Sequence, residues 1–295
     1  MAGASVASRA SQLAESLFAV LFPGDCRICG APLFRISRLP VCQECLGTIR
    51  PIAGGLCVIC GERLFSPYAV AGAAGEPRCG VCRRLAPSFA RAVAYGSYEG
   101  GLRELIHLLK YGGVRPAANV LGRMLAEALT DLEPDFSSTP VMVVPVPLFR
   151  ARQRQRGFNQ AELIARAALK IHSGEGRLRL GAPVLERKRE TQSQTGLTSH
   201  QRRQNLRGAF AVAQPEAIRG QEVVVVDDVY TTGATVSECA RILLRAGASK
   251  VWVATVARTL KASAQHAEMG PQAEDGQAED GIEAQEVPMA KAVGS

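Results

Sequence analysis

Two adjacent carboxylates, Asp227 and Asp228, lie between a run of valines and a threonine-rich segment within VVVVDDVYTTGAT (residues 223–235). Carboxylate oxygens are good acceptors for the hydroxyls of a sugar. The threonine hydroxyls, the conformational freedom of Gly233 and the free N–H groups of a following helix together suit a phosphate group. The pattern therefore indicates a site for a ribose 5-phosphate, with the diol at the aspartates and the phosphate at the turn.

Other phosphate-binding motifs do not fit this stretch. A P-loop requires a lysine after its glycine, and a dinucleotide-binding fold requires G-x-G-x-x-G, and neither pattern occurs in it. The remaining alternative is an ordinary strand–turn–helix unit with a polar edge and no ligand.

A strand and a helix must position these groups. Val223 to Val226 form a continuous β-branched run, which is typical of a fully buried parallel strand. After the turn, apolar residues recur at helical spacing, and Gly247 suits the end of that helix. The helix is predicted to begin just past Thr235. The aspartates then lie at the carboxyl end of the strand, the edge at which open α/β sheets bind ligands.

A second buried strand, VMVVPVPL (141–148), leads into a segment of alternating arginines. We predict a loop here, containing Arg150, Arg152, Arg154 and Arg156. Guanidinium groups bind phosphate oxygens in pairs, so this loop suits a pyrophosphate, although a solvated basic loop is the alternative. A further basic stretch (186–210) has little apolar periodicity in its first half and is long enough to be a mobile lid.

Further α/β elements surround these strands. FARAVAYGSYEG is interpreted as a strand and turn, and KVWVATVA (250–257) as another strand. GLRELIHLLKYGG predicts a helix that closes at Gly112. His107 is interpreted as structural rather than catalytic. Lys110 and Tyr111 lie at the helix end before a Gly-Gly turn, but the sequence alone does not show that they contact a ligand. The residues predicted to face inward are Leu102, Leu105, Ile106 and Leu109.

Eight of the nine cysteines form four C-x-x-C pairs, which in a cytoplasmic chain indicate thiolate zinc ligands rather than disulfides. CRICGAPLF (26–34) recurs as CVICGERLF (57–65), which favours two successive structural zinc ribbons. A cross-braced arrangement would use the same ligands, whereas a redox site would need one pair on a βα turn. Cys239 is interpreted as a core residue. The two predicted sets are Cys26, Cys29, Cys42 and Cys45, and Cys57, Cys60, Cys79 and Cys82.

Charge is unevenly distributed along the 295 residues. The whole chain carries +8, whereas the part from Lys261 onward has seven acids and two lysines, which leaves +13 on residues 1–260. A basic body favours an anionic partner such as phosphate, pyrophosphate or nucleic acid. The acidic tail contains QAEDGQAEDG and is predicted to be disordered. No apolar run is long enough to span a membrane, and the N-terminus is not typical of a signal peptide, so we expect a cytoplasmic protein.

The order of these motifs resembles the ComF family, whose members combine a double zinc ribbon with a phosphoribosyltransferase-like domain and are linked to bacterial natural competence. The resemblance is carried by the cysteine pairs, YEGGLRELIHLLKYGG, VVPVPLFRARQRQRGFNQAELIA, TQSQTGLTSHQRRQNLRGAF and VVVVDDVYTTGAT. It implies a type I phosphoribosyltransferase-like open parallel sheet with helices on both faces, preceded by a small double zinc-ribbon domain. The expected organisation is an amphipathic segment (1–22), the double zinc ribbon (23–88), the phosphoribosyltransferase-like domain (89–260) and the acidic tail (261–295).

The resemblance also implies roles for individual residues. Asp227 and Asp228 would hold the ribose hydroxyls, while Lys188 and Arg189 would belong, with TQSQTGL, to a flexible loop that closes over the site. Mg²⁺ would span the pyrophosphate and ribose oxygens. The remaining substrate-binding residues expected are Val229, Tyr230, Thr231, Thr232, Gly233, Ala234 and Thr235 around the phosphate, and Pro147, Arg150, Arg152 and Arg156 near the pyrophosphate.

Three functions are compatible with the sequence. The first is Mg²⁺-dependent transfer of phosphoribosyl from phosphoribosyl diphosphate to an acceptor. The second is binding of single-stranded DNA, with the ribbons docking a helicase of the uptake machinery or another competence protein. The third is a ligand-sensing regulator without turnover. Aromatic side chains for base stacking are scarce, which weighs against the second.

Overall fold

The computed structural model describes residues 24–34, 37–65, 76–137, 140–172, 176–181, 183–190 and 199–261. Three sequence predictions therefore lie outside the described residues: the amphipathic segment 1–22, the TQSQTGL part of the lid, and the acidic tail beyond Lys261. No helix in the described part of the chain is long and apolar enough to cross a membrane.

The cysteine-rich region contains four short elements: β1 (Gly24–Asp25), β2 (Pro32–Leu33), α1 (Gln43–Gly47) and α2 (Gly80–Arg84). The following elements are β3 (Ala92–Ser97), α3 (Gly100–Lys110), α4 (Ala117–Thr130), β4 (Val141–Pro145), α5 (Arg150–Arg156), α6 (Gln160–Ile171), β5 (Leu178–Leu180), β6 (Leu185–Arg187), α7 (Ser199–Leu206), β7 (Phe210–Val212), β8 (Glu222–Tyr230), α8 (Ala234–Arg245) and β9 (Lys250–Arg258).

Five of these strands form one parallel sheet in the order β3-β9-β8-β4-β5. Residues of a strand alternate between its faces, and β8 follows that rule. Val224 and Val226 pack with α3, α4 and α6 on one face, whereas Val223 and Val225 pack with α8 on the other. The predicted open parallel sheet with helices on both faces is confirmed.

Most predicted helix and strand positions agree with the structure. The predicted inward face of α3 is buried, and so is Cys239 on α8. Strand β8 extends through both aspartates to Tyr230, because β9 continues to pair with it there. Helix α8 accordingly begins at Ala234 rather than past Thr235.

The arginine-rich segment forms helix α5, so the predicted loop is wrong. Arginine, glutamine and alanine are good helix formers, and the segment contains no other residue type. Gly157 ends the helix in the left-handed conformation (φ 75°), and its N–H donates to the carbonyl of Gln153 at 2.8 Å. The arginines are therefore displayed on a rigid helix.

The two cysteine repeats fold alike. In each one the N–H of the first cysteine donates to a carbonyl five residues later, Cys26 to Ala31 and Cys57 to Glu62, both at 2.8 Å. The glycine after each second cysteine has a positive φ, as such a tight knuckle requires. The sequence repeat is therefore a repeat of structure.

Candidate ligand site at the carboxyl edge of the sheet

The two aspartates at the end of β8 face opposite sides of the sheet. Asp228 lies on the α3 side, where its Oδ1 accepts a hydrogen bond from Lys110 Nζ at 2.7 Å, and both side chains are largely buried. Asp227 lies on the α8 side, and its Oδ1 accepts the N–H of Asp228 at 2.9 Å. The pair therefore presents acceptor oxygens to both sides of the strand end.

The charges at this strand end shift one another. Burial, followed by the neighbouring charge of Asp228, raises the pKa of Asp227 to about 7. Burial lowers the pKa of Lys110, but the charge and hydrogen bond of Asp228 offset this effect, and the net shift is upward. Lys110 is therefore protonated at neutral pH, whereas the Asp227 carboxyl is partly protonated and partly ionised at that pH.

The segment at residues 231–235, called the threonine turn below, comprises the turn after β8 and the first two residues of α8. Thr231 and Thr232 are exposed, and Gly233 adopts the left-handed conformation (φ 74°). A Cβ at Gly233 would overlap the Tyr230 hydroxyl and lie 2.5 Å from its Cζ, so only glycine fits there. The N–H groups at the start of α8 follow directly, and such a helix N-terminus suits a phosphate.

A cleft of about 600 Å³ lies beside the ends of β4 and β5. Pro147, Arg150, Arg187 and Lys188 line it, together with apolar residues that include Leu185. Neither aspartate is among its lining residues, so the cleft is separate from the site at the strand end. The two are neighbours, because Arg187 lines the cleft and lies close enough to Asp227 to offset part of the rise in its pKa. Pro147 and Arg150, predicted to lie near the pyrophosphate, thus line the same cleft as Lys188, which was predicted to belong to the closing loop.

The other predicted basic residues have partners of their own. Arg156 lies with its guanidinium carbon 5.4 Å from the centre of the exposed Tyr111 ring. Arg189 donates to the carbonyls of Asn205 (2.9 Å) and Arg207 (3.1 Å), which ties it to the end of α7. Lys188 forms an ion pair with Glu186. Burial lowers the pKa of Arg187, and the nearby charge of Arg152 lowers it further.

Two residues near the aspartates were absent from the predicted set. Lys110 contacts Asp228 directly, and its only sequence signal was its position at a helix end before Gly112 and Gly113. Arg187 is close enough to Asp227 for the charge of each to shift the pKa of the other. His107, interpreted as structural, forms a 2.9 Å hydrogen bond with the Tyr98 hydroxyl.

The eight paired cysteines gather into two tetrads in sequential order, not in the cross-braced one. Within each tetrad the ligand sulfurs all lie within 4.8 Å of one another. The first tetrad contains Cys26, Cys29, Cys42 and Cys45, and the second contains Cys57, Cys60, Cys79 and Cys82.

The sulfur geometry of these tetrads fits a tetrahedral zinc ion. Four thiolates at about 2.3 Å from a metal require sulfur–sulfur distances of about 3.8 Å. The sulfurs of Cys26 and Cys45 lie 3.8 Å apart, and those of Cys60 and Cys79 lie 3.7 Å apart. Closed four-cysteine sites are structural, so these tetrads are assigned no catalytic role.

Comparison with known proteins gives consistent relatives. A sequence model of the phosphoribosyl transferase domain matches residues 161–271. DNA utilization protein YhgH of Salmonella typhi is 35% identical over 245 residues, which cover 81% of this chain and 98% of that protein. Competence protein F of Haemophilus influenzae is 31% identical over 230 residues (74% and 96%). Competence protein ComFC of Bacillus subtilis is 28% identical over 207 residues (70% and 79%).

Proposed function

The chain belongs to the ComF family of competence-associated proteins with a phosphoribosyltransferase-like domain, and on that premise we propose that it binds phosphoribosyl diphosphate with Mg²⁺ and transfers the phosphoribosyl group to an acceptor. The observation that carries this proposal is the end of β8, where Asp227 and Asp228 precede a glycine-containing turn and the N-terminus of α8. Acceptors for hydroxyls and donors for a phosphate thus follow one another along a few residues.

The reaction requires two kinds of charge. Departure of pyrophosphate leaves positive charge on the ribose, which the carboxylates at the strand end would stabilise. The pyrophosphate gains negative charge, and Arg150, Arg187 and Lys188 in the adjoining cleft supply cations on that side. The carboxylates lie at the strand end, and most of the cations lie in the cleft. This arrangement supports a substrate that carries both a ribose and a pyrophosphate group, rather than a simple phosphate.

Metal ions would have separate tasks in this protein. Mg²⁺ prefers oxygen ligands and is commonly held by substrate phosphates with one or two carboxylates, and Asp227 and Asp228 are the carboxylates at hand. When bound, it would neutralise charge on the diphosphate. Zinc in the two tetrads would stabilise the ribbons, since metal binding at such sites is coupled to folding.

Transfer is tested by pyrophosphate release from phosphoribosyl diphosphate and Mg²⁺ in the presence of purine and pyrimidine bases. Release is expected with one of the bases and is expected to disappear in an Asp227→Asn, Asp228→Asn double variant. Asp135→Asn is the matched control, because this carboxylate pairs with Arg91 at 2.7 Å, away from the strand end. A chain that binds the diphosphate but releases no pyrophosphate with any base would contradict transfer to a nucleobase.

Binding of single-stranded DNA is a second candidate function. It is supported by the basic helix α5 and by the exposed Tyr111, over which Arg156 lies. Aromatic rings beside cations form stacking platforms for bases. In that role the ribbons, with exposed Phe34 and Phe65 at the ends of the two repeats, would dock a helicase or another competence protein.

Fluorescence anisotropy with a labelled oligonucleotide tests this candidate. Tyr111→Ala is expected to weaken binding of single strands, because it removes a stacking surface. The salt dependence of the affinity should change little, because no charge is removed. Unchanged affinity in this variant would remove the structural support for base stacking.

A further inference from the structure

Arg258, the last residue of β9, is a buried cation between the second tetrad and the candidate ligand site. Only 4% of the residue is exposed. Its guanidinium donates to the carbonyl oxygen of Cys60, to Glu62 Oε2 at 3.0 Å and to Cys60 Sγ at 3.7 Å. Burying a charge is costly unless it is paired and hydrogen-bonded, so these contacts hold the guanidinium in one place.

The same guanidinium also contacts the residue that supports the threonine turn. Its central carbon lies 4.3 Å from the centre of the Tyr230 ring, and Tyr230 and Arg258 are paired residues of β8 and β9. The Tyr230 hydroxyl lies where a Cβ of Gly233 would be, so the turn rests directly on this ring. A continuous line of contacts therefore runs from Cys60 through Arg258 and Tyr230 to Gly233.

The first tetrad has a different place in the fold. Its Cys45 carbonyl would lie 3.1 Å from a Cβ at Gly101, so this tetrad packs against the beginning of α3. The second tetrad is buried at all four cysteines and shares a hydrophobic cluster with Tyr230 and Ala234. The two tetrads fold alike but differ in what they touch, which makes each a control for the other.

We propose that Arg258 is a positioning residue that couples the second tetrad to the threonine turn. Four thiolates around a zinc ion would carry a net negative charge, which would hold the guanidinium beside Cys60. Hydrogen bonds from outer residues commonly orient metal ligands in this way. With the guanidinium held, the Tyr230 ring keeps Gly233 and the N–H groups behind it in the geometry that receives a phosphate. Loss of the second tetrad therefore weakens phosphate binding at a distance. The effect on affinity rests on the proposed function, whereas the effect on the turn itself does not.

Two equivalent cysteine variants of the full chain test the coupling. Cys42 and Cys79 each precede the helix of their ribbon, and the sulfur of each accepts the N–H of the cysteine three residues later. Cys79→Ser is expected to speed amide hydrogen exchange at residues 231–235 and to weaken binding of ribose 5-phosphate about 10-fold. Cys42→Ser is expected to leave both quantities within twofold of the unaltered chain.

Arg258→Met identifies the residue that carries the effect. It should reproduce the Cys79→Ser result, and the double variant should add nothing further, because residues acting through one line of contacts are not additive. Arg241→Met, which removes an arginine paired with Glu238 on α8, is the matched control. In addition, cobalt(II) in the second tetrad of the Cys42→Ser chain should change its visible absorption on addition of ribose 5-phosphate, and Arg258→Met should abolish that change.

The outcomes separate this proposal from the proposed function. If the unaltered chain binds neither ribose 5-phosphate nor phosphoribosyl diphosphate with Mg²⁺, the proposed function is wrong, and hydrogen exchange alone decides the coupling. If the sugar phosphate binds, but Cys79→Ser and Arg258→Met leave exchange and affinity unchanged, the coupling is wrong and the function stands. Equal effects of Cys42→Ser and Cys79→Ser would also overturn it, since they would reflect general loss of stability.

Discussion

Replacing Asp227 with asparagine is expected to stabilise the fold, although Asp227 belongs to the candidate site. Burial and the charge of Asp228 raise its pKa from 3.8 to about 7. Between pH 3.8 and about pH 7, the Asp227 carboxyl keeps its proton in the folded state but has lost it in the unfolded state. The stability contributed by this carboxyl is therefore fully present below about 3.8 and is lost as the pH rises towards 7.

The size of the effect follows from this interval. One pKa unit corresponds to about 1.4 kcal/mol, so the rise to about 7 corresponds to about 4 kcal/mol at full ionisation. Asp227 retains some contact with solvent, which reduces the gain that we expect from Asp227→Asn to about 2–3 kcal/mol at pH 8.5. The gain should be about 1 kcal/mol smaller at pH 6.0. Asparagine keeps the Oδ1 that accepts the N–H of Asp228.

Urea unfolding of the zinc-loaded chain at pH 6.0 and pH 8.5 measures this gain. Asp135→Asn is the control, since it removes a partly exposed carboxylate and should change stability little at either pH. A gain that is absent at pH 8.5, or that is equal at the two pH values, would refute the raised pKa of the Asp227 carboxyl.

Three further changes probe the same region and the ribbons. Gly233→Ala should lower the free energy of unfolding by about 1–3 kcal/mol and abolish sugar-phosphate binding, because a Cβ at positive φ would overlap Tyr230; thermal unfolding and calorimetry measure the two effects. Cys60→Ser should reduce the zinc content from two ions to one per chain by atomic absorption, and unchanged content would exclude the second tetrad as a metal site. Lys110→Met should cost about 3 kcal/mol in urea unfolding, since it leaves Asp228 buried without its cation, and a loss below 1 kcal/mol would contradict the ion pair.

The sequence was sufficient for features that depend on local pattern. The valine-rich apolar runs at 141–144 and 223–226 predict buried parallel strands, because continuous apolar runs are typical of strands that are buried on both faces. The leucine spacing of α3 predicts its buried face, and the cysteine repeat predicts two successive tetrads. In each case one short stretch contains the whole signal.

Features that depend on distant contacts could not be predicted in this way. Lys110 meets Asp228 across 118 residues, and Arg258 meets Glu62 across 196, so no local pattern links either pair. The arginine segment was predicted as a loop because its charges suggested a ligand, yet its residue types favour a helix. The division between the strand-end aspartates and the neighbouring cleft likewise follows only from the packing of several strands.

Calorimetric titration of the zinc-loaded chain with phosphoribosyl diphosphate, with and without Mg²⁺, tests the central claim most directly. The account predicts saturable one-site binding that strengthens with Mg²⁺ and is lost in the Asp227→Asn, Asp228→Asn double variant. An unaltered chain that shows no binding heat under either condition, while it remains folded, would contradict the assignment of the β8 strand end as a ribose phosphate site.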